Sequence, residues 1–205
     1  MEPVKTYDSF LNRLKEKYGS EERVVCLLIL DPTNDDAVGK YIYKRYEYFH
    51  VRTGEHLDFF CPGFEVNGRR KHFSVRSFVE FVQQIEELTD WKYYGGTNLL
   101  VLQYFDEELR FDCVYDINFT RMMIDGYMTD YKSFLEGFIR GVKEDVDGYL
   151  TREYVKAQAK NVWSTISDFL PDYIRRTVKH FGTTAKLNAY FAPKNFAKKD
   201  MDCID

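Results

Sequence analysis

The feature that most constrains the fold of this chain is an unbroken run of seven apolar residues, Val24 to Leu30. The run is rich in leucine and β-branched residues and shows no alternation, which is typical of a central strand covered on both faces. Asp31 and Pro32 follow it and favour a loop. The sequence therefore predicts a buried strand over residues 23–30. Because a helix needs about 20 apolar residues to cross a bilayer, we expect no membrane-spanning helix.

The spacing of apolar residues predicts the other elements of an α/β domain. Alternation in one later segment puts Phe111, Tyr115 and Phe119 on one face of a strand. Together the elements predict an open mixed sheet of four to five strands flanked by helices. Helices are predicted over residues 7–18, 37–49, 74–91 and 130–142, and further strands over residues 56–60, 98–105 and 111–119.

From residue 23 to residue 143 the predicted elements follow the order β-α-β-α-β-β-α. This order resembles that of the thioredoxin fold, and the resemblance is one of element order alone. Thioredoxins owe their chemistry to a cysteine pair after the first strand, whereas this chain has the loop DPTNDD at residues 31–36. The resemblance therefore implies a fold without a redox activity. An open sheet of another kind, with right-handed crossovers, fits the same order.

The chain changes character after the acidic residues 144–147 and Gly148. Residues 1–148 contain the predicted strands and form the α/β domain in this interpretation. Apolar residues at helical spacing then predict an extension over residues 149–181 that packs on the domain. Residues 182–205 show no sustained period, and we interpret them as a flexible basic-aromatic tail.

Charge and cysteine content exclude several classes of protein. The 205 residues carry a formal net charge of −4, which argues against nucleic-acid binding because such binding requires a dense cationic surface. The four cysteines are far apart, and none shares metal-ligand spacing with a histidine. The sequence thus predicts no disulfide scaffold, no metal site and no cofactor. The N-terminus lacks the pattern of a signal peptide, which predicts a cytoplasmic protein.

Three residues that follow predicted strands are the candidates for catalysis. Ligands in open α/β sheets bind beyond the carboxyl ends of the parallel strands. The chain places Asp31 and Asp35 after one strand and Cys61 after the next. Carboxylates suit acid–base chemistry, and a thiol suits nucleophilic or redox chemistry. The alternative is structural, with the acids forming a turn and a helix cap and the thiol packed in the core.

A basic segment is the candidate for anion binding. Arg69, Arg70 and Lys71 come shortly before a predicted helix, and Arg76 lies in its first turns. Cations beside a helix N-terminus favour a phosphate or an acidic partner surface. The alternative is a solvated loop over residues 67–72.

Aromatic residues make up 17% of the chain, and two sets of them do not lie on regular inward stripes. Tyrosine is favoured at interface hot spots, so both sets are candidates for partner binding. Burial by the chain's own elements is the alternative. The residues are Tyr43, Tyr46 and Tyr48 on the predicted helix, and Tyr190, Phe191 and Phe196 in the tail.

These observations leave three hypotheses for the function. The first is a non-catalytic, cytoplasmic interaction module that binds another protein or a second copy through the aromatic helix, the C-terminal helices and the tail. The second is an enzyme or nucleotide-responsive domain that holds an anionic ligand at the strand ends. The third is a degenerate thioredoxin-like redox protein that uses Cys61. Because no catalytic signature stands out, the sequence favours the first.

Overall fold

Strands and helices follow one another along most of the described chain. The computed structural model describes residues 2–33, 36–45, 48, 57–67, 70–126, 128, 130–140, 194–196 and 198. The strands in these ranges are β1 (Glu2–Val4), β2 (Arg23–Ile29), β3 (Leu57–Pro62), β4 (Phe64–Asn67), β5 (Arg70–Phe73), β6 (Asn98–Phe105) and β7 (Glu108–Asn118). The helices are α1 (Tyr7–Tyr18), α2 (Ala37–Lys44), α3 (Val75–Leu88), α4 (Phe119–Ile124) and α5 over residues 131–140.

Five of these strands form one mixed sheet in the order β1-β3-β2-β6-β7. Strands β1, β2 and β3 run parallel, whereas β6 is antiparallel to β2 and β7 is antiparallel to β6. Strands β4 and β5 form a separate antiparallel hairpin. Residues Val24–Ile29 of β2 lie in the middle of the sheet and are at most 1% exposed. The predicted central strand and the predicted mixed sheet flanked by helices are therefore confirmed.

Alternate residues of β2 supply two separate cores, one on each face of the sheet. Val25 and Leu27 pack with side chains of α1 and α3, which we call the α1/α3 core. Val24 and Cys26 pack with side chains of α2, α4 and α5, which we call the α2/α5 core. Both cores are rich in aromatic residues, so a large part of the aromatic content serves packing.

Short polar side chains fix where the helices begin. Thr6 and Ser9 form a capping box at the start of α1, and Ser74 caps α3. Asp130 accepts hydrogen bonds from the first backbone N–H groups of α5. Each cap satisfies donors that have no partner within the helix. Helices α1, α3 and α5 therefore begin within one residue of the predicted positions.

The structure corrects the prediction at three places in the first half of the chain. Strand β1 has only three residues, too few to show a period, and its sequence predicts no strand. In the basic segment predicted as a loop over residues 67–72, Asn67 belongs to β4 and residues 70–72 belong to β5 instead. Helix α2 ends at Lys44 with Arg45 as its C-cap, five residues before the predicted end.

Strand β7 carries a bulge that its sequence pattern conceals. Val101 of β6 pairs with Tyr115 of β7, but Gln103 pairs with Arg110. Leu102 alone therefore lies opposite the four residues 111–114 of β7. Because an odd number of extra residues reverses the alternation, Phe111 packs in the α1/α3 core and Tyr115 packs in the α2/α5 core. The predicted single face for Phe111, Tyr115 and Phe119 is therefore wrong, and Phe119 begins α4 instead.

None of the helices in the described ranges is long and apolar enough to cross a bilayer. The predicted helical extension over residues 149–181 lies outside the described residues. Within the predicted tail, over residues 182–205, the structure describes residues 194–196 and 198.

Candidate functional site

Asp31, one of the three candidates for catalysis, lies directly beyond the end of β2. Its carboxylate accepts a hydrogen bond of 2.9 Å from the backbone N–H of Thr33. This local contact is typical of an Asx turn. Asp35, the second candidate, lies outside the described residues. The arrangement around Asp31 is that of the structural alternative, in which the acid forms a turn.

A neighbouring carboxylate, Asp36, ties α2 to the loop before β6. It is 8% exposed and accepts hydrogen bonds from the backbone N–H groups of Val38 (3.1 Å) and Gly39 (3.2 Å). The hydroxyl of Thr97 donates a further hydrogen bond to it, and the N–H of Thr97 donates to the Thr120 hydroxyl. Three donors therefore hold this carboxylate in place as a helix cap.

Cys61, the third candidate, lies within β3 and has no exposed surface. It belongs to the α2/α5 core together with Cys26, and burial raises the pKa of Cys26. A thiol needs access to solvent to react with an outside substrate, and Cys61 lacks that access in this structure. The described ranges contain no group of three or more His, Cys, Asp or Glu side chains arranged to hold a metal ion.

The candidates for anion binding are spread over the β4–β5 hairpin and α3. Arg69 lies outside the described residues, and the structure describes only the backbone of Arg70 and Lys71, both on β5. Arg76 is 87% exposed on α3 and pairs with Glu80 at 2.7 Å. Of these four candidates, Arg76 is therefore the one whose side chain the structure describes.

An acidic side chain, rather than a basic one, is at the centre of the described contacts around this hairpin. Glu65 pairs with Lys5 at 3.3 Å and with His72 at 3.1 Å, and it accepts a hydrogen bond from the hydroxyl of Ser77. The contact with Lys5 is the main reason that the pKa of Glu65 lies below its usual range. The charge of Lys5 is thus partly neutralised within the protein.

The tyrosines of α2 are partly covered by the rest of the chain. Tyr43, a candidate for partner binding, is 39% exposed, and its ring lies 5.5 Å from that of Phe64. Tyr48 packs against the α2/α5 core, and Tyr46 lies outside the described residues. Tyr41 meets the ring of Tyr131 of α5 at 5.5 Å. Tyr43 is the one of these three candidates that lies on α2, and it is the one that the structure shows exposed.

The described residues of the tail form backbone hydrogen bonds with the edge of the sheet. Strand β7 is the last strand of the sheet, and its outer edge over residues 111–116 is here called the β7 edge. Lys194 and Val114 exchange two backbone hydrogen bonds of 2.8 Å, and the N–H of Phe196 donates to the carbonyl of Phe111 at 2.7 Å. Residues 194–196 and 198, here called the tail segment, therefore lie along the sheet edge, with an antiparallel bridge from Lys194 to Val114 of β7 and a second one from Lys198 to Thr89.

Side chains of the tail segment alternate between charged and apolar contacts. Lys194 pairs with Asp116 at 3.2 Å, and Lys198 pairs with Glu108 at 3.0 Å. Between them Phe196 packs against the α1/α3 core. Tyr190 and Phe191, the other aromatic candidates of the tail, lie outside the described residues. Phe196 is thus the tail aromatic for which the structure shows a binding surface.

Asp116 is the most unusual carboxylate at the β7 edge, because its side chain is only 15% exposed. Burial raises its pKa, and the charge of Lys194 acts in the opposite direction. The indole N–H of Trp91 lies near the same carboxylate and favours its ionised form, although it does not meet the geometry of a hydrogen bond. At the other end of the segment, the hydrogen bond from Lys198 lowers the pKa of Glu108.

A pocket of about 420 Å³ lies beside Lys194 at the end of the sheet where β6 begins and β7 ends. Its lining includes the cations Lys92, Arg121 and Lys194. Each of these cations is also paired with a carboxylate, Lys92 with Glu86 and Arg121 with Asp125. The pocket is open to an anionic ligand, but the protein already balances much of its positive charge.

The sequence does not predict the residues of β7 that bind the tail segment. Phe196 is among the candidates, but Val114, Asp116 and Glu108 are not. The alternation of lysine and phenylalanine at 194, 196 and 198 matches an extended strand and is a signal for the tail, but the sequence holds no signal for the strand that accepts it. A comparison of the chain with protein-family models, with curated proteins and with solved structures finds no match.

Proposed function

We propose that this chain is a non-catalytic protein-interaction module whose principal binding surface is the β7 edge. The observation that supports the proposal is that this edge binds the tail segment through backbone hydrogen bonds of Lys194 and Phe196 and side-chain contacts of Lys194 and Lys198. Addition of a strand to an exposed sheet edge is a recurring mode of peptide recognition. The partner in this proposal is another protein or a second copy of the chain, and the module acts in the cytoplasm.

The aromatic helix adds a second surface to the proposal. Tyr43 exposes 39% of its surface beside Phe64, and tyrosine contributes strongly to many interfaces. The proposal assigns the C-terminal helices over residues 149–181 to the same role, on the strength of their predicted apolar stripe. The β7 edge is the best supported binding surface of the proposal, because the structure shows the tail segment bound to it.

We also propose a thioredoxin-like arrangement for the domain. Its support is the parallel set β1-β3-β2, followed by the antiparallel pair β6–β7, with α1 and α3 on one face and α2 and α5 on the other. The β4–β5 hairpin is an insertion into that order. Because the loop over residues 31–36 contains no cysteine, thiol chemistry at the start of α2 is not part of the proposal.

The test is site-specific photo-crosslinking in cells that express the full chain. A photoreactive phenylalanine analogue replaces Asp112, which is exposed on the β7 edge. The control carries the same analogue at Val75, which is 50% exposed on α3. We expect the Asp112 variant to give adducts with another protein or a second copy that the Val75 variant does not give. Identical adducts at both positions, or adducts within the chain alone, would contradict the proposal.

The pocket beside Lys194 supports a second candidate function, the binding of an anionic ligand at the strand ends. Three cations line it at the carboxyl end of β2, which is where ligands bind in open α/β sheets. A ligand that binds the folded state raises the midpoint of thermal unfolding. Nucleotides and phosphorylated metabolites, with and without Mg²⁺, should raise it in the full chain and less in the Arg121→Gln variant. No shift with any of them would remove this candidate.

A further inference from the structure

Residues 194–198 also indicate which partner chemistry the β7 edge selects. We infer that the edge binds an extended segment of a partner protein with a cation, an aromatic residue and a second cation at alternate positions, and that the tail segment is a built-in competitor for that partner. This inference rests on the proposed function, and it adds a chemical class of partner and a regulatory role for the tail.

Backbone pairing sets the direction and register of the bound segment. The N–H and carbonyl of Val114 are both paired with Lys194, so a bound strand must be antiparallel and extended at this point. The Val114 groups face away from β6, within residues 111–114, which lie outside the regular pairing of β6 with β7. Bulges end regular pairing and redirect side chains, and this bulge leaves a short length of strand able to accept another strand.

Alternate side chains of the bound strand then meet three different surfaces. The first position meets Asp116, a largely buried carboxylate whose contact with Lys194 spans 3.2 Å. The third position packs Phe196 against the α1/α3 core, and the fifth position meets Glu108. Strand addition takes affinity from the backbone and specificity from pockets for alternate side chains. The order of these surfaces therefore selects cation, aromatic and cation.

The contacts of the tail segment are few enough for a partner to replace them. Its described residues make three backbone hydrogen bonds to β7, one bridge from Lys198 to Thr89 and two ion pairs in which both lysines are more than one third exposed. The pair of Lys198 with Glu108 is exposed on both sides and adds little affinity. Phe196, the backbone and the pair of Lys194 with the largely buried Asp116 therefore provide most of the binding. A partner segment with the same alternation and a longer strand would make these contacts and more.

The experiment uses a fluorescein-labelled synthetic peptide with the sequence of residues 189–201, AYFAPKNFAKKDM. Fluorescence anisotropy measures its affinity for the full chain and for the full chain carrying Phe196→Ser. We expect the variant to bind the peptide at least about tenfold more tightly, because its own tail no longer competes. Equal affinity for both chains, or no binding to either, would overturn the inference.

Peptide variants test the chemistry of each position. Replacing the phenylalanine that corresponds to Phe196 by alanine should weaken binding to the Phe196→Ser chain by about tenfold. Replacing the two lysines that correspond to Lys194 and Lys198 by alanine should weaken it by a few-fold, and less so at high salt. A peptide with Lys198→Glu should regain affinity for a chain that also carries Glu108→Lys. If the alanine peptides bind as tightly as the parent, the edge does not select this chemistry.

Sedimentation of the full chain over a range of concentrations distinguishes a partner protein from a second copy. A monomer at all concentrations supports a separate partner, whereas a dimer that disappears in the Phe196→Ser variant would assign the edge to the tail of a second copy and overturn the choice of partner. Crosslinks at Asp112 without selective peptide binding would leave the proposed function in place and reject only this inference.

Discussion

The two edge strands of the sheet, β1 and β7, differ in what prevents other strands from pairing with their outer edges. Strand β1 has three residues, and Pro3 in its middle has no backbone N–H to offer to another strand. The carbonyl of Pro3 accepts a hydrogen bond from Arg13 of α1. Strand β7 has eleven residues, and its outer donors and acceptors at Val114 pair with Lys194.

This difference shows that one chain protects its two edge strands by different means. Open edges invite pairing with other chains, and proteins limit this by short strands, prolines, charges or covering segments. At β1 the protection is built into the strand and cannot be removed by another protein. At β7 the protection is a separate segment, and this edge is therefore the one to which our proposal assigns a partner.

The largest effect that we predict comes from Phe196→Ser in the full chain. The variant loses the apolar contact of the tail segment, which contributes about 1–2 kcal/mol for a partly buried phenylalanine. The amide of Val114 should therefore exchange with deuterium about tenfold faster, or more, than in the wild type. Phe105→Ser is the control, because Phe105 is 45% exposed and lies near the turn between β6 and β7. Unchanged exchange at Val114 would mean that Phe196 does not hold the segment in place.

A smaller effect is expected from proline within the tail segment. Lys194→Pro removes the N–H that bonds to Val114 and the ammonium group that pairs with Asp116, together about 1 kcal/mol. Amide exchange at Val114 should increase several-fold. Asn195→Pro is the matched control, because Asn195 is exposed and makes no backbone hydrogen bond to the described part of β7. Equal exchange in the two variants would argue against a specific strand register.

Asp116→Asn should change how stability depends on pH. Burial raises the pKa of Asp116 above its ordinary value of 3.8, so the folded chain binds this proton more tightly than the unfolded chain does. This group therefore lowers the free energy of unfolding as pH rises from about 4 through the folded-state pKa. Asparagine does not titrate, so chemical denaturation should show the variant gaining stability relative to the wild type over that window. A constant difference between the two proteins would contradict the role of burial at this site.

The smallest effect concerns the β1 edge. Pro3→Ala restores one N–H to the outer side of β1, where the side chain of Arg13 still covers the carbonyl. We expect the free energy of unfolding to change by less than about 0.5 kcal/mol and sedimentation to show no new oligomer. New self-association in this variant would show that proline, rather than strand length and Arg13, is what keeps the β1 edge closed.

The sequence predicts the centre of this molecule better than its edges. The run from Val24 to Leu30 identifies β2 because a strand buried on both faces must be apolar throughout. Strand β1 escapes prediction because three residues show no period. The bulge in β7 escapes it because Phe111 and Tyr115 fit a regular alternation, and only the pairing with β6 determines where three residues are added.

The candidate site is likewise predicted only in part from the sequence. The aromatic tail is visible in the sequence, and Phe196 stands out as an aromatic residue in a basic segment. The surface that binds it is formed by residues far away in the chain, and no local pattern connects Lys194 with Val114 or Lys198 with Glu108. Such long-range pairs depend on the register of β7, which the sequence does not reveal.

The most direct test of the account is a nuclear magnetic resonance titration of the full chain carrying Phe196→Ser with the unlabelled peptide of residues 189–201. We predict that the shifted amide signals are those of Val114, Asp116 and their neighbours on β7, together with the indole signal of Trp91. The signals of Glu2 and Val4 on β1 should remain in place. Shifts at β1, or shifts spread over the sheet without a maximum at Val114, would contradict the claim that the β7 edge is the binding surface.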